Sequence, residues 1–175
     1  LEVLGSNALG ESVGLTEIVD EAMADLRYEA RQRHVKVVCH ADGSAILGHR
    51  YAVLTLARNI IGNAIRYAPV GGRVEIATMV QRGSAVLRVD DSGPGIPEAE
   101  RTRAFDRFER LSQRQGAGVG LGLSIVRTVA QRHDALVTLG ESALGGLRVE
   151  CEFTGRLVQR EELDLAALDA ADSGP

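Results

Sequence analysis

Cysteine is scarce in this 175-residue chain: Cys39 and Cys151 are the only two, each inside a strand-like apolar run, "VKVVCH" and "LRVECEF". Two isolated thiols exclude a disulfide framework and a zinc site, and their setting reads as two buried thiols in a reducing, cytoplasmic compartment. A positive excess is also missing. The net charge of -4 and isoelectric point near 5.6 give no basic field for nucleic acid. No apolar run approaches the roughly 18 to 20 residues needed to cross a bilayer, and the start lacks the charged-then-apolar order of a signal peptide, so a soluble chain is expected. No internal repeat or low-complexity block is present.

What is present suits one globular domain, since hydrophobic residues make up 45% of the sequence. Thr16 is placed to cap a helix running to about Arg33, with Ile18, Val19, Ala22, Met23 and Leu26 on one face. "VKVVCHADGSAIL" supplies two strand-like runs broken at Asp42-Gly43. His49 or Arg50 then opens a second helix that must end before Pro69. "GRVEIATMV" and "AVLRVDD", joined by "QRGS", alternate as a hairpin that delivers Asp90 and Asp91 at its end. "SGPGIP" is a turn, residues 97 to 106 are helical in pattern, and "ERLSQRQGAG" is a polar loop with the character of a mobile lid. Apolar positions 121, 125, 126, 129 and 130 mark a further helix, followed by the strands "ALVTLG" and "GLRVECEF". The order predicts an α+β two-layer sandwich: a mixed sheet covered on one face by about three helices. Residues 1–11 read as a linker or vector-derived remnant, 12–155 as the domain, and 156–175 as a polar, acidic tail.

Three constellations carry chemistry. In "GAGVGLGLSIV" glycines stand at 116, 118, 120 and 122 just before a helix. The stretch fails the dinucleotide fingerprint because Leu123 stands where glycine is required, and no nearby lysine completes a P-loop. Bare backbone before a helix N-terminus nevertheless favours an anion, although a plain glycine linker fits as well. In "ARNIIGNAIRYAP", Asn59, Asn63 and Arg66 share one face of the second helix with Tyr67 adjacent. Amide oxygens within an otherwise apolar helix suit Mg²⁺, and Arg66 suits the phosphates that Mg²⁺ accompanies. In "DDSGPGIP", Asp91 stands beside Gly93 and Gly95, a carboxylate next to backbone thin enough for a flat ligand, or an ordinary Asp-initiated turn.

In this order, and with "AFDRFERL" between the last two, the motifs resemble the ATP-binding catalytic domain of bacterial two-component sensor histidine kinases, of the GHKL superfamily with its Bergerat-type fold. The resemblance covers residues 12 to 154 and implies a set of roles. Asn59 and Asn63 fall on the Mg²⁺ positions of the N box, Arg66 and Tyr67 on its phosphate-side and adenine-side pair, and Asn59, Asn63 and Arg66 would serve catalysis. Asp91, rather than Asp90, matches the aspartate that accepts the adenine amino group, with Gly93, Gly95 and Ile96 as companions. Phe105 and Phe108 correspond to the F-box aromatics at the base of the ATP lid. Gly118, Val119, Gly120, Leu121 and Gly122 form the phosphate end, and Arg114 and Gln115 in the lid are candidates for the γ-phosphate. Val119 replaces a small hydroxyl residue common in the family. Asn59 stands where hydrolytic relatives carry glutamate and cannot take a proton, which favours phosphoryl transfer over hydrolysis.

The implied partners are a separate dimeric domain bearing the phosphoacceptor histidine and, downstream, a response-regulator receiver domain. A membrane would be met only through other parts of the parent protein. "HDAL" at His133 imitates an acceptor motif, but it ends the helix after the glycines and reads as structural, while His34, His40 and His49 read as surface, strand or capping residues. The alternatives are an ATPase clamp of the topoisomerase or mismatch-repair type, and a nucleotide-binding scaffold without transfer activity.

Overall fold

The computed structural model describes residues 10–106 and 122–158. A short strand, β1 (Glu11–Gly14), runs directly into the first helix, α1 (Leu15–Gln32), and pairs antiparallel with β3 (Ala45–Gly48). The sequence pattern places no element over residues 12–14 and gives Thr16 as the cap. Instead the β1–β3 pairing fixes Gly14 as the capping position, Leu15 donates its N–H to the Ser44 carbonyl at 2.9 Å, and Thr16 lies inside the helix with its Oγ1 buried and unpartnered.

The main sheet has five strands in the order β2-β4-β5-β7-β6, comprising β2 (Lys36–His40), β4 (Arg73–Gln81), β5 (Ser84–Asp91), β7 (Leu147–Phe153) and β6 (Ala135–Glu141). Only β2 and β4 are parallel. The two runs of "VKVVCHADGSAIL" therefore separate, the first entering this sheet and the second pairing with β1. The β4–β5 hairpin closes on Arg82 and Gly83, whose φ values of 52° and 78° are the left-handed pair that a two-residue hairpin turn requires.

Strand alternation sets the two faces. Val74, Ile76, Leu87, Val89, Val149, Cys151 and Phe153 belong to one buried core with α1, with α2 (Arg50–Tyr67) and with α4 (Gly122–Arg132). The opposite face carries charge: Arg88 pairs with Glu150 at 2.7 Å, Arg73 with Glu75 at 2.7 Å, and Arg148 with Asp90. Helices thus cover one face of a mixed sheet, as expected. α1 and α2 are further joined by Glu17, Glu21, Asp25 and Glu29 against Arg50, Arg58 and Arg66. These pairs are partly exposed and each contributes well under about 1 kcal/mol, so the seam sets register more than stability.

Three further expectations change. Residues 97–106 form one helical turn, α3 (Glu98–Arg101), and a 3₁₀ turn at Arg103–Phe105, not one helix. Cys151 is fully buried, but Cys39 is exposed because β2 is an edge strand held on one side only. Residues 156–158 are not all tail: Leu47 and Val158 exchange backbone bonds with Arg156 and Ala45, and Val158 is buried. The rest of the expected tail, and the residues before 10, lie outside the described residues.

Candidate nucleotide site

The site is built around the last three turns of α2. Ile60, Ile61, Ala64 and Ile65 are buried in the core, so the helix is immobilised by packing while Asn59, Asn63 and Arg66 emerge half-buried on its remaining face. Asn59 donates Nδ2 to the Thr55 carbonyl at 2.8 Å, which fixes its amide plane. The N-terminal residue of α4 meets this face: a Cβ on Gly122 would stand 2.8 Å from Asn63 Nδ2, 3.2 Å from Asn63 Oδ1 and 3.4 Å from Asn59 Oδ1. Any side chain at 122 would push the Asn63 amide aside, so glycine lets the start of α4 rest on both amides, at a helix end whose dipole favours anions.

Arg66 extends the same face. Its Nη1 donates to Asn63 Oδ1 at 3.5 Å and its Nε lies 3.8 Å from Glu29 Oε1 of α1. No group of three or more His, Cys, Asp or Glu side chains able to hold a metal occurs among the described residues. Two neutral amide oxygens beside an anion-favouring helix end fit a cation that arrives with phosphates, because Mg²⁺ takes few protein oxygens when phosphate oxygens and water complete its shell.

The other end of the site is Asp91. The alternation of β5 puts Asp90 and Asp91 on opposite faces, and the structure separates them by partner. Asp90 is engaged by Arg148 on the outer face, Nε to Oδ1 at 2.9 Å and Nη2 to Oδ2 at 3.2 Å. Asp91 is 2% exposed on the helix side, where its Oδ1 accepts the N–H groups of Gly93 at 2.8 Å and Leu147 at 3.0 Å. The glycines make this possible: a Cβ on Gly93 would stand 2.6 Å from the Tyr67 carbonyl oxygen, and one on Gly146 only 2.2 Å from Asp91 Oδ1. Gly93 thus seats the turn after β5 directly on the end of α2, joining the asparagine and aspartate ends. Gly95 has a φ of 70° and Ile96 is buried. A shallow polar recess of about 260 Å³, lined in part by Gly95, Ile96, Arg101, Glu141 and Gly146, lies beside this turn and does not reach the asparagines.

Phe105 is half-buried against the core, with the Arg127 guanidinium 5.9 Å from its ring centre. Phe108, Arg114, Gln115, Gly118, Val119, Gly120 and Leu121, with the expected lid, lie outside the described residues. His133 is 1% exposed and both its ring nitrogens are engaged, by the His49 N–H at 3.0 Å and the Val129 carbonyl at 2.9 Å, in keeping with the structural reading. Residues that sequence reasoning missed are Gly146 and Leu147, whose approach to Asp91 depends on the β5–β7 pairing, and Arg33, which bonds the end of α2.

Comparison with known proteins identifies the family and the fold. Residues 48–157, more than half the chain, match the family described as histidine kinase-, DNA gyrase B- and HSP90-like ATPase. The chain is 34% identical over 140 residues to the sensor protein kinase PmrB of Pseudomonas aeruginosa, covering 79% of this chain and 29% of PmrB. It is 37% identical over 139 residues to the sensor protein CutS of Streptomyces coelicolor, covering 77% of this chain and 34% of CutS. Among solved structures it superposes on the mycobacterial sensor histidine kinase MprB with a TM-score of 0.77 at 28% identity, covering 85% of this chain and 100% of that one. The chain belongs to this ATPase family and is an ATP-binding catalytic domain of the sensor histidine kinase type. It spans about a third of the length of the curated relatives it matches. Among the described residues no helix is long and apolar enough to cross a membrane.

Proposed function

We propose that this chain binds Mg-ATP between Asp91 and the Asn59–Asn63–Gly122 cluster and supplies the γ-phosphoryl group to a histidine on a separate dimerisation domain of its parent protein. The observation that carries this is the seating of Gly122 on both asparagine amides, which among the described residues puts the start of α4 beside the amide oxygens on α2's open face. Asp91 accepts the adenine amino group from a position already fixed by two backbone N–H bonds, with Gly93, Gly95 and Ile96 forming the adjacent wall. Asn59 and Asn63 hold Mg²⁺, Arg66 lines the phosphate side and Tyr67 the adenine side. When bound, Mg²⁺ neutralises charge on the phosphates.

The remaining work of the chain is orientation. Asn59 and Asn63 orient the phosphate end together with Gly118, Val119, Gly120, Leu121 and Gly122, Arg66 contributes a positive charge, Phe105 and Phe108 stand at the base of the lid, and Arg114 and Gln115 in the lid meet the γ-phosphate. No carboxylate stands at position 59 to take a proton from water, so the chain favours transfer to an acceptor histidine over hydrolysis. The phosphoryl group then passes to an aspartate on a response-regulator receiver domain. The domain works in the cytoplasm, and the parent protein meets the membrane through other segments.

Calorimetric titration with Mg-ATP tests the first step, with tight binding expected for the chain and a large loss for Asp91→Ala. Unchanged affinity in that variant removes the adenine assignment. Mixing the chain with the parent's dimeric histidine domain and ATP tests the second, with an acid-labile phosphorylated histidine expected and an acid-stable product contradicting it.

A further inference from the structure

Arg66 is held from α1 twice over, by residues that no nucleotide role includes. Arg33, at the C-terminal cap of α1, reaches the last turn of α2 and donates Nε to the Ile65 carbonyl at 3.1 Å and Nη2 to the carbonyls of Arg66 at 2.6 Å and Ala68 at 3.3 Å. A helix end leaves such carbonyls without intrahelical partners, and a guanidinium there meets three of them with charge-assisted bonds aligned with the helix dipole. One turn earlier on α1, Glu29 faces the Arg66 side chain, Oε1 to Nε at 3.8 Å. The two α1 residues are themselves linked, since the Arg33 N–H donates to the Glu29 carbonyl at 3.1 Å. The Arg33 carbonyl in turn accepts the N–H of Gly71 at 3.4 Å, which ties the loop leaving α2 to the same point.

We propose that Glu29 and Arg33 are positioning residues for Arg66: the end of α1 fixes both the backbone and the guanidinium of the one cation that α2 presents to the phosphate side. This rests on the nucleotide reading above and adds to it the element that presets the phosphate contact. Arg33 sets where the last turn of α2 ends, so that the Tyr67 carbonyl meets Gly93 and Arg66 projects beside Asn63. Glu29 and Asn63 then grip the guanidinium from two sides, at Nε and Nη1. An arginine whose guanidinium already has fewer orientations open to it loses less entropy when a phosphate arrives.

The test is a pair of double-mutant cycles, reading affinity for Mg-ATP by calorimetry and for adenosine by NMR titration. Arg33→Met is expected to weaken Mg-ATP about tenfold and adenosine less than about twofold, and Glu29→Gln to weaken Mg-ATP roughly threefold. On an Arg66→Ala background each is expected to add less than about a further factor of two, because the residue through which they act is gone. Arg33→Lys is expected to recover part of the loss, its ammonium reaching some of the three carbonyls but not all in one plane. Losses that multiply on the Arg66→Ala background, or adenosine affinity that falls in step with Mg-ATP, overturn the proposal and leave Arg33 a structural cap. Should Arg33→Met fail to fold, the Glu29→Gln cycle decides, since that change is isosteric and partly exposed. Failure of the unaltered chain to bind Mg-ATP overturns the nucleotide reading and this inference with it, whereas binding with additive losses overturns this inference alone.

Discussion

His133 Nε2 accepts the backbone N–H of His49 at 3.0 Å while its Nδ1 lies 2.9 Å from the Val129 carbonyl oxygen, so the tautomer with hydrogen on Nδ1 satisfies both contacts. One buried ring therefore ties the end of α4 to the start of α2. The fit is close: a Cβ on Gly48 would stand 2.8 Å from His133 Cδ2, and the His49 ring meets it edge-on at 5.8 Å. Gly122 joins the same two helices at their other contact, beside Asn63. His133→Leu is expected to destabilise the chain by about 2–4 kcal/mol in urea denaturation, because the His49 N–H and the Val129 carbonyl both lose the ring they bond and a fully buried side chain changes shape. His133→Gln should restore about 1 kcal/mol by offering an amide oxygen. Equal stability of the Leu variant and the parent would show that the bond is dispensable.

Two adjacent glycines make opposite predictions. A Cβ on Gly146 would lie 2.2 Å from Asp91 Oδ1 and 2.5 Å from the Gly93 nitrogen, contacts that nothing flexible can relieve. Gly145, with a φ of 93°, has open space around it and opposes a side chain only through its backbone conformation. Gly146→Ala is expected to cost about 3 kcal/mol and to abolish detectable Mg-ATP binding, since Asp91 and the turn after β5 must move. Gly145→Ala should cost about 1–2 kcal/mol with affinity within about twofold of the parent. Thermal unfolding and calorimetry on the two variants check this, and similar affinities in both would detach Gly146 from the site.

What the sequence made legible divides along physical lines. The choice of Asp91 over Asp90 rests on the family motif, and strand alternation supplies a physical difference between them: both are buried, but Asp90 is paired with Arg148 on the outer face while Asp91 faces the helices. The face shared by Asn59, Asn63 and Arg66 follows from helical spacing, a local property. Arg33 and Gly146 were illegible because their meaning lies in partners 32 or more residues away, which no periodicity records. The strand β1 escaped notice because it has four residues, one of them glycine, and is held only by β3. Thr16 misled for a related reason: a capping residue is a local signal, and the β1–β3 ladder overrode it.

The asparagine pair predicts a metal dependence that can be separated from nucleotide binding in general. Replacing Mg²⁺ by EDTA should weaken ATP binding to the chain by about tenfold or more, because the phosphates then face Gly122 and Arg66 without charge neutralisation. Asn63→Ala removes an oxygen from the cluster, so the ratio of affinities with and without Mg²⁺ should collapse toward one in that variant. Isothermal titration in paired buffers measures the ratio. A ratio unchanged by Asn63→Ala would move the cation away from α2.

The two thiols should behave as different chemical species. Complete burial, with a smaller contribution from Glu150, pushes the Cys151 thiol from an ordinary 9.0 up to about 12, whereas Cys39 is raised by partial desolvation and by Asp20 but stays accessible on the edge strand. A thiol reagent at pH 8 is therefore expected to label Cys39 in the native chain and Cys151 only after unfolding. The same shift has a consequence for stability. Between pH 9 and about 12 the unfolded chain releases the Cys151 proton and the folded chain retains it, so the unfolded state binds fewer protons and stability falls as pH rises. The contribution is fully present below pH 9 and is lost on the way to about 12, with a limiting slope of about 1.4 kcal/mol per pH unit. Cys151→Ala removes the group, so urea denaturation from pH 8 to 11 should show a shallower decline in the variant than in the parent. Parallel declines would mean that Cys151 titrates alike in both states, as it could only if the strand pairing of β7 opened to solvent at high pH.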